Sequence, residues 1–201
     1  MKTTILSAAL LMCICFKLHA QQPIDQLITA EKNFAATSKN QTTKIAFLSF
    51  LDSNCIGYDK GVQTKMFKEW TDRKESNSKL TWNPEFAFIG ASGELGVTTG
   101  PWEYRQTSLN DTPVAHGHFT TVWKKKENGI WKAMFDMGIG YEAPSVNSDE
   151  VKVKTVVLDS VTKNKNTEDW LLIDKRFSND KATLLSLLDK DAWIRIQGHA
   201  R

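Results

Sequence analysis

Residues 80–139 constrain the fold of this chain more than any other stretch. They read LTWNPEFAFIGASGELGVTTGPWEYRQ and then, after a polar loop, VAHGHFTTVWKKKENGIWKAMFDMGI. Three long β-type segments are joined there by Gly-rich turns and carry four tryptophans, Trp82, Trp102, Trp123 and Trp131. A strongly curved antiparallel sheet of this kind must cover its apolar face, and helical segments precede it. The expectation is an α+β fold, a cone in which helices pack on the sheet and hold a pocket.

Within this region, Pro84 interrupts a strand over 80–89 and marks an edge or a bulge, because proline cannot donate to a ladder. Gly93-Glu94-Leu95-Gly96 turns into a strand over 97–106, and 109–113 is a polar loop. Strands over 114–126 and 130–139 form a hairpin across Glu127-Asn128-Gly129, since Asn-Gly is a strong hairpin signal. Alternation places His118, Thr120 and Val122 on one face and Phe119, Thr121 and Trp123 on the other. With Asn128-Gly129 as the two central turn residues, Thr121 falls opposite Asp136 and Trp123 opposite Met134. His118 then lies on the face away from Asp136. A one-residue change in turn length reverses that relation, so no His–Asp pair is claimed.

Upstream, Ile24, Leu27, Ile28, Phe34 and Ala35 have helical spacing and predict a helix over 24–37, with Pro23 just before it. A nearly all-apolar helix over 44–51 must be buried on most sides. Ile56-Gly57-Tyr58 reads as a short strand ended by Asp59-Lys60-Gly61, and 62–74 reads as a helix carrying Met66, Phe67 and Trp70. Residues 141–166 form a linker with one extra strand at 151–158. Beyond it, Ala30-Glu31-Lys32-Asn33-Phe34 is echoed by Ile173-Asp174-Lys175-Arg176-Phe177. Leu48-Ser49-Phe50-Leu51-Asp52 is likewise echoed by Leu185-Ser186-Leu187-Leu188-Asp189. Residues 167–201 therefore read as a truncated second repeat of two helices and a short strand, the alternative being coincidence between two amphipathic helix pairs. Leu171, Phe177, Leu184, Trp193 and Ile196 are among too many apolar residues for a free segment, so this tail is expected to dock.

Residues 1–20 stand apart. Lys2 precedes an apolar run over 5–16, too short to span a bilayer, and Leu18-His19-Ala20 resembles a cleavage site. The reading is a secretory signal peptide, a mature start near Gln21 and a periplasmic or secreted protein, with a retained anchor as the alternative. Losing Lys2 and Lys17 and no acid takes the formal charge from +3 to +1. A nearly neutral chain offers no electrostatic case for nucleic acid or, after cleavage, for a membrane surface. Lys124-Lys125-Lys126 is a hairpin end rather than a patch. Cys13 and Cys15 leave with the leader, so Cys55 stands alone as a buried small hydrophobe with no internal disulfide.

The motifs Ala91-Ser92-Gly93-Glu94-Leu95-Gly96 and Thr98-Thr99-Gly100-Pro101-Trp102-Glu103 recur with Gly117-His118-Phe119, Val122-Trp123-Lys124 and Trp131-Lys132 through Asp136. In this element order they resemble the nuclear transport factor 2-like superfamily, and within it the SnoaL-like and ketosteroid-isomerase-like bacterial branch. The resemblance spans about residues 24–140 and implies a cone-shaped domain over 21–140. It implies isomerase, lyase, ligand-binding or assembly roles, with a sheet-to-sheet homodimer as one arrangement; fold alone does not choose among them.

The resembled enzymes move a proton with a carboxylate, or a His–Asp arrangement, inside an apolar cone. Asp136 is the candidate base, an acid in an apolar strand beside Met134, Phe135 and Met137, where burial would raise its pKa. The alternative is a structural aspartate bonded to backbone amides at a strand bend. His118 is the second catalytic candidate, or else a satisfied core histidine. Trp82, Trp102, Tyr104 and Trp123 are candidate ligand-binding residues, or core. Glu103 and Arg105 alternate with Trp102 and Tyr104 and should point the other way and pair on the surface. His116 and His118 lack a third ligand, and no phosphate loop, nucleophile elbow or Cys–His signature is present, so neither metal nor cofactor is expected. Three functions stay open. One is an exported module binding a small hydrophobic molecule without catalysis. Another is a lyase or isomerase using Asp136 with His118 assisting, and the last is an assembly module. Asp136 inside a pocket with a raised pKa favours the enzyme; Asp136 tied to backbone amides favours the module.

Overall fold

A computed structural model describes residues 22–141 and 151–155. The expected signal peptide and truncated repeat lie outside the described residues. Helix α1 (Pro23–Asn40) begins on Pro23, where a missing N–H costs nothing, and carries Asp25 in its first turn and Lys39 in its last, both suited to the helix dipole. Its buried stripe is Leu27, Glu31, Phe34 and Ser38. Helix α2 (Thr43–Phe50) is capped by Thr42, whose side chain accepts from Ile45 N at 3.1 Å. The chain passes without a linker into β1 (Leu51–Asp59).

The segment expected to be helical over 62–74 divides. Its first part is β2 (Val62–Lys65), paired antiparallel with β1, and only Met66–Asp72 forms helix α3. Lys60 and Gly61, with φ of 50° and 81°, make the two-residue turn between the strands. Positive φ at both positions is the hairpin geometry that matches strand twist. The helical spacing of Met66, Phe67 and Trp70 hid a strand of four residues.

Pro84 divides the next expected strand into β3 (Lys79–Trp82) and β4 (Phe86–Ile89), both paired with β5 (Leu95–Arg105). Asn83, Pro84 and Glu85 face only Gly100 and Pro101 between the pairs Trp82–Trp102 and Phe86–Thr99, so the break is a bulge. Strands β6 (Ala115–Lys125) and β7 (Trp131–Tyr141) form the long hairpin, and β8 (Lys152–Thr155) adds in parallel to β4. The sheet order is β2-β1-β7-β6-β5-β4-β8, with β3 also on β5. All pairings are antiparallel except β1 with β7 and β4 with β8.

The β6–β7 register corrects the expected turn. Lys126 N donates to Ile130 O at 2.8 Å, so the loop holds three residues, Glu127-Asn128-Gly129, with Gly129 at φ 81°. Near the loop Trp123 faces Ala133 rather than Met134. A bulge at Met134 then restores the other register, and Thr121 does face Asp136. Lys126 of the lysine run pairs with Asp52 at 2.6 Å and Lys125 donates to Gln26, which makes the run a hairpin end.

The helices pack on the inner face of this curled, unclosed sheet. Leu27 and Phe34 of α1, Ala46 and Phe47 of α2 and Trp70 of α3 meet Leu51, Ile89, Trp123, Trp131 and Ala133 in one core. Cys55 is buried in it, and loss of water around the thiol pushes its pKa up to about 12, the behaviour of an inert hydrophobe. No helix among the described residues is long and apolar enough to cross a membrane.

Candidate ligand pocket

Between α1–α3 and the sheet lies a cavity of about 330 Å³. Phe34, Phe47 and Trp70 line it from the helices, and Leu80, Trp82, Trp102, Phe119, Thr121 and Asp136 line it from the strands. Tyr58, Glu69, Arg73 and Tyr104 are exposed and form its mouth. Arg73 Cζ stands over the Trp70 ring, 4.1 Å from its centroid, a cation–π contact that holds the guanidinium at the rim.

Asp136 reaches this cavity because the loop and the bulge together keep it level with Thr121. Thr121 Oγ1 donates to Asp136 Oδ1 at 2.6 Å. The carboxyl is buried and raised to about 6, since burial strips water from the charged form more than the Thr121 bond compensates. The Thr121 hydroxyl, rather than the backbone amides of the expected alternative, is the hydrogen-bond partner of the carboxyl. Gly57 of β1 approaches here so closely that a Cβ would stand 2.7 Å from Asp136 O.

Trp102 lies against Gly117 and Gly138. A Cβ at Gly117 would stand 2.3 Å from Trp102 Cε2, so the glycines provide the bed for the indole. Its Nε1 is buried without a hydrogen-bond partner among the described residues. Trp82 and Tyr104 also line the cavity as expected. Trp123 does not. It is fully buried, in edge-on contact with Phe34 at 6.0 Å, and belongs to the core. His118 is 4% exposed and does not line the cavity; alternation from Thr121 puts it on the outer face of the sheet, apart from Asp136. Arg105 and Glu103 do pair, at 2.6 Å, but largely buried rather than on the surface. No cluster of metal-ligating side chains occurs among the described residues.

A second buried carboxyl escaped the sequence reading. Glu31 of α1 has no exposed surface and accepts from Trp82 Nε1 at 2.6 Å, Thr98 Oγ1 at 2.5 Å and Trp123 Nε1 at 3.0 Å. Burial raises it to about 7; the bond from Thr98 opposes this most, and the nearby negative charge of Asp136 adds to it. The signal was present, since Glu31 continues the Leu27, Phe34 and Ser38 stripe at helical spacing.

No protein family's sequence profile and no curated protein sequence matches the chain. Solved structures do. A nuclear transport factor 2-like protein from Cytophaga hutchinsonii is 15% identical, with TM-score 0.43 over 58% of this chain and 96% of that one. A ketosteroid isomerase-like protein from Erwinia carotovora atroseptica is 11% identical, with TM-score 0.47 over 60% of this chain and 98% of that one. The CaMKII hub of S. rosetta is 18% identical, with TM-score 0.44 over 59% and 96%. At such identities the likeness concerns fold alone. Helices seated in a curled, unclosed, largely antiparallel sheet form the expected α+β cone.

Proposed function

We propose that the protein is an exported module that binds a small, largely apolar molecule in the cavity between the helices and the sheet. The observation that carries this is a cavity of about 330 Å³ walled by Phe34, Phe47, Trp70, Trp82, Trp102 and Phe119. Small-molecule sites are concave, mostly apolar and supplied with few polar groups. Denaturing the purified protein and identifying the released compound by mass spectrometry tests it. Ala115 also lines the cavity, and Ala115→Trp should fill it, abolishing ligand recovery while leaving the melting temperature near wild type. Ligand recovery unchanged in that variant sinks the reading. Export belongs to the same proposal, and N-terminal sequencing of the mature protein should begin near Gln21.

One observation favours a second reading, proton transfer on the bound molecule. Asp136 presents a carboxyl raised to about 6 to the apolar cavity, and a base poised near neutral pH is suited to removing a proton from carbon next to a carbonyl. His118 has no part in it. The test is deuterium incorporation from solvent into the recovered ligand. Asp136→Asn should retain binding and lose exchange; exchange at an undiminished rate removes Asp136 as the base.

A further inference from the structure

A second cavity of about 270 Å³ adjoins the first and shares Trp70, Arg73, Leu80 and Tyr104 with it. Its remaining lining is polar and one-signed: Thr43, Lys44, Lys74, Ser76 and Ser78. Three cations and, with Tyr104, four hydroxyl side chains line it without a carboxylate. Lys44 is held in place, donating to Thr71 O at 3.1 Å and Arg73 O at 2.5 Å at the end of α3. Neither Arg73 nor Lys74 is in an ion pair among the described residues. Solvated surface lysines would explain charge by itself. They would not explain why Arg73 stands over Trp70, both of them residues of both cavities.

We infer that the ligand is an amphipathic anion, its apolar body in the aromatic cavity and its carboxylate, sulfonate or phosphate head in the groove of Lys44, Arg73 and Lys74. This rests on the pocket reading above and adds the polarity of the ligand. Guanidinium and ammonium donors favour oxyanions, and hydroxyl donors complete such a shell. The competing cation-seeking groups are Asp136 inside the first cavity and Glu69 at its mouth. A ligand with a cationic head would use those instead.

Three probes with one chain and different heads separate the alternatives: decanoate, decanol and decylammonium. Binding is followed at neutral pH by fluorescence of the cavity tryptophans. Decanoate should bind about tenfold more tightly than decanol, a difference of about 1.4 kcal/mol. That advantage should shrink at about 1 M ionic strength, where screening falls to about 3 Å. Lys74→Gln, at an exposed position that lines only the second cavity, should lower the decanoate-to-decanol ratio with decanol affinity unchanged. Decylammonium binding most tightly, or equal loss of both decanoate and decanol in the Lys74 variant, overturns the anionic head. Decanol binding as well as decanoate overturns it too, yet leaves the apolar pocket standing. If no probe binds, the pocket reading itself fails.

Discussion

Trp123 and Glu31 show how one side chain takes its meaning from distant partners. Both Trp82 and Trp123 point their indole N–H at Glu31, so a carboxyl in the core is satisfied rather than orphaned. Trp123→Ala should cost about 3–5 kcal/mol, because it opens a cavity in the core and strips Glu31 of a donor. Chemical denaturation measures that loss, and an unchanged melting temperature would take Trp123 out of the core. Glu31 also makes stability depend on pH. Folded, it keeps its proton to about pH 7, whereas its ordinary value is 4.5. Between those values the folded chain holds more protons than the unfolded one, so stability should fall as pH rises through the window and level off above it. At about 1.4 kcal/mol for each pH unit, the Glu31 effect is on the order of 3 kcal/mol. Asp136, raised from 3.8 to about 6, acts in the same direction. The carboxyls held low, Asp52 and Asp111, titrate below this window. Melting curves between about pH 4.5 and pH 8 should therefore flatten in Glu31→Gln, and an unchanged slope would refute the assignment.

At the level of elements, glycines decide how closely strands and rings approach. Gly117 sits where a Cβ would stand 2.0 Å from Ile139 O and against the Trp102 ring. Gly117→Ala should therefore cost on the order of 1–3 kcal/mol and displace Trp102 from the cavity wall. Gly61 is the control, with φ at 81° and nothing near its missing Cβ, so Gly61→Ala should carry only the left-handed backbone penalty of about 1–2 kcal/mol. Thermal melts with ligand recovery distinguish the two, since only the Gly117 variant should lose binding. The β6–β7 hairpin teaches a different lesson. Asn128-Gly129 announced a turn correctly, yet the loop holds three residues and the bulge at Met134 compensates. Strand alternation carried Asp136 to the inner face because these two one-residue irregularities cancel.

At the scale of the molecule, β8 extends the sheet beyond β4 and covers an edge that would otherwise expose unpaired backbone groups. A chain ending at Gly140 removes that strand together with the apolar tail. It should lose solubility or change oligomeric state, as read by light scattering. Unchanged mass, solubility and melting temperature would show β8 and the tail to be dispensable.

The helices of the core, the long strands, the Pro84 break and the pocket aromatics Trp82, Trp102 and Tyr104 were legible in the residues themselves. Those signals are local, carried by 3.6- and 2-residue periodicities and by turn chemistry within a few positions. Tertiary structure alone separated Trp123 from the pocket, since strand parity names a face and not a depth within it. It also revealed the short strand β2, whose pairing with β1 outweighs the helical spacing that follows. The burial of Glu31 could be read from its helical spacing, but its partners could not. Its partners are 51, 67 and 92 positions away, and only the packing of α1 into the sheet brings their donors to one buried carboxyl.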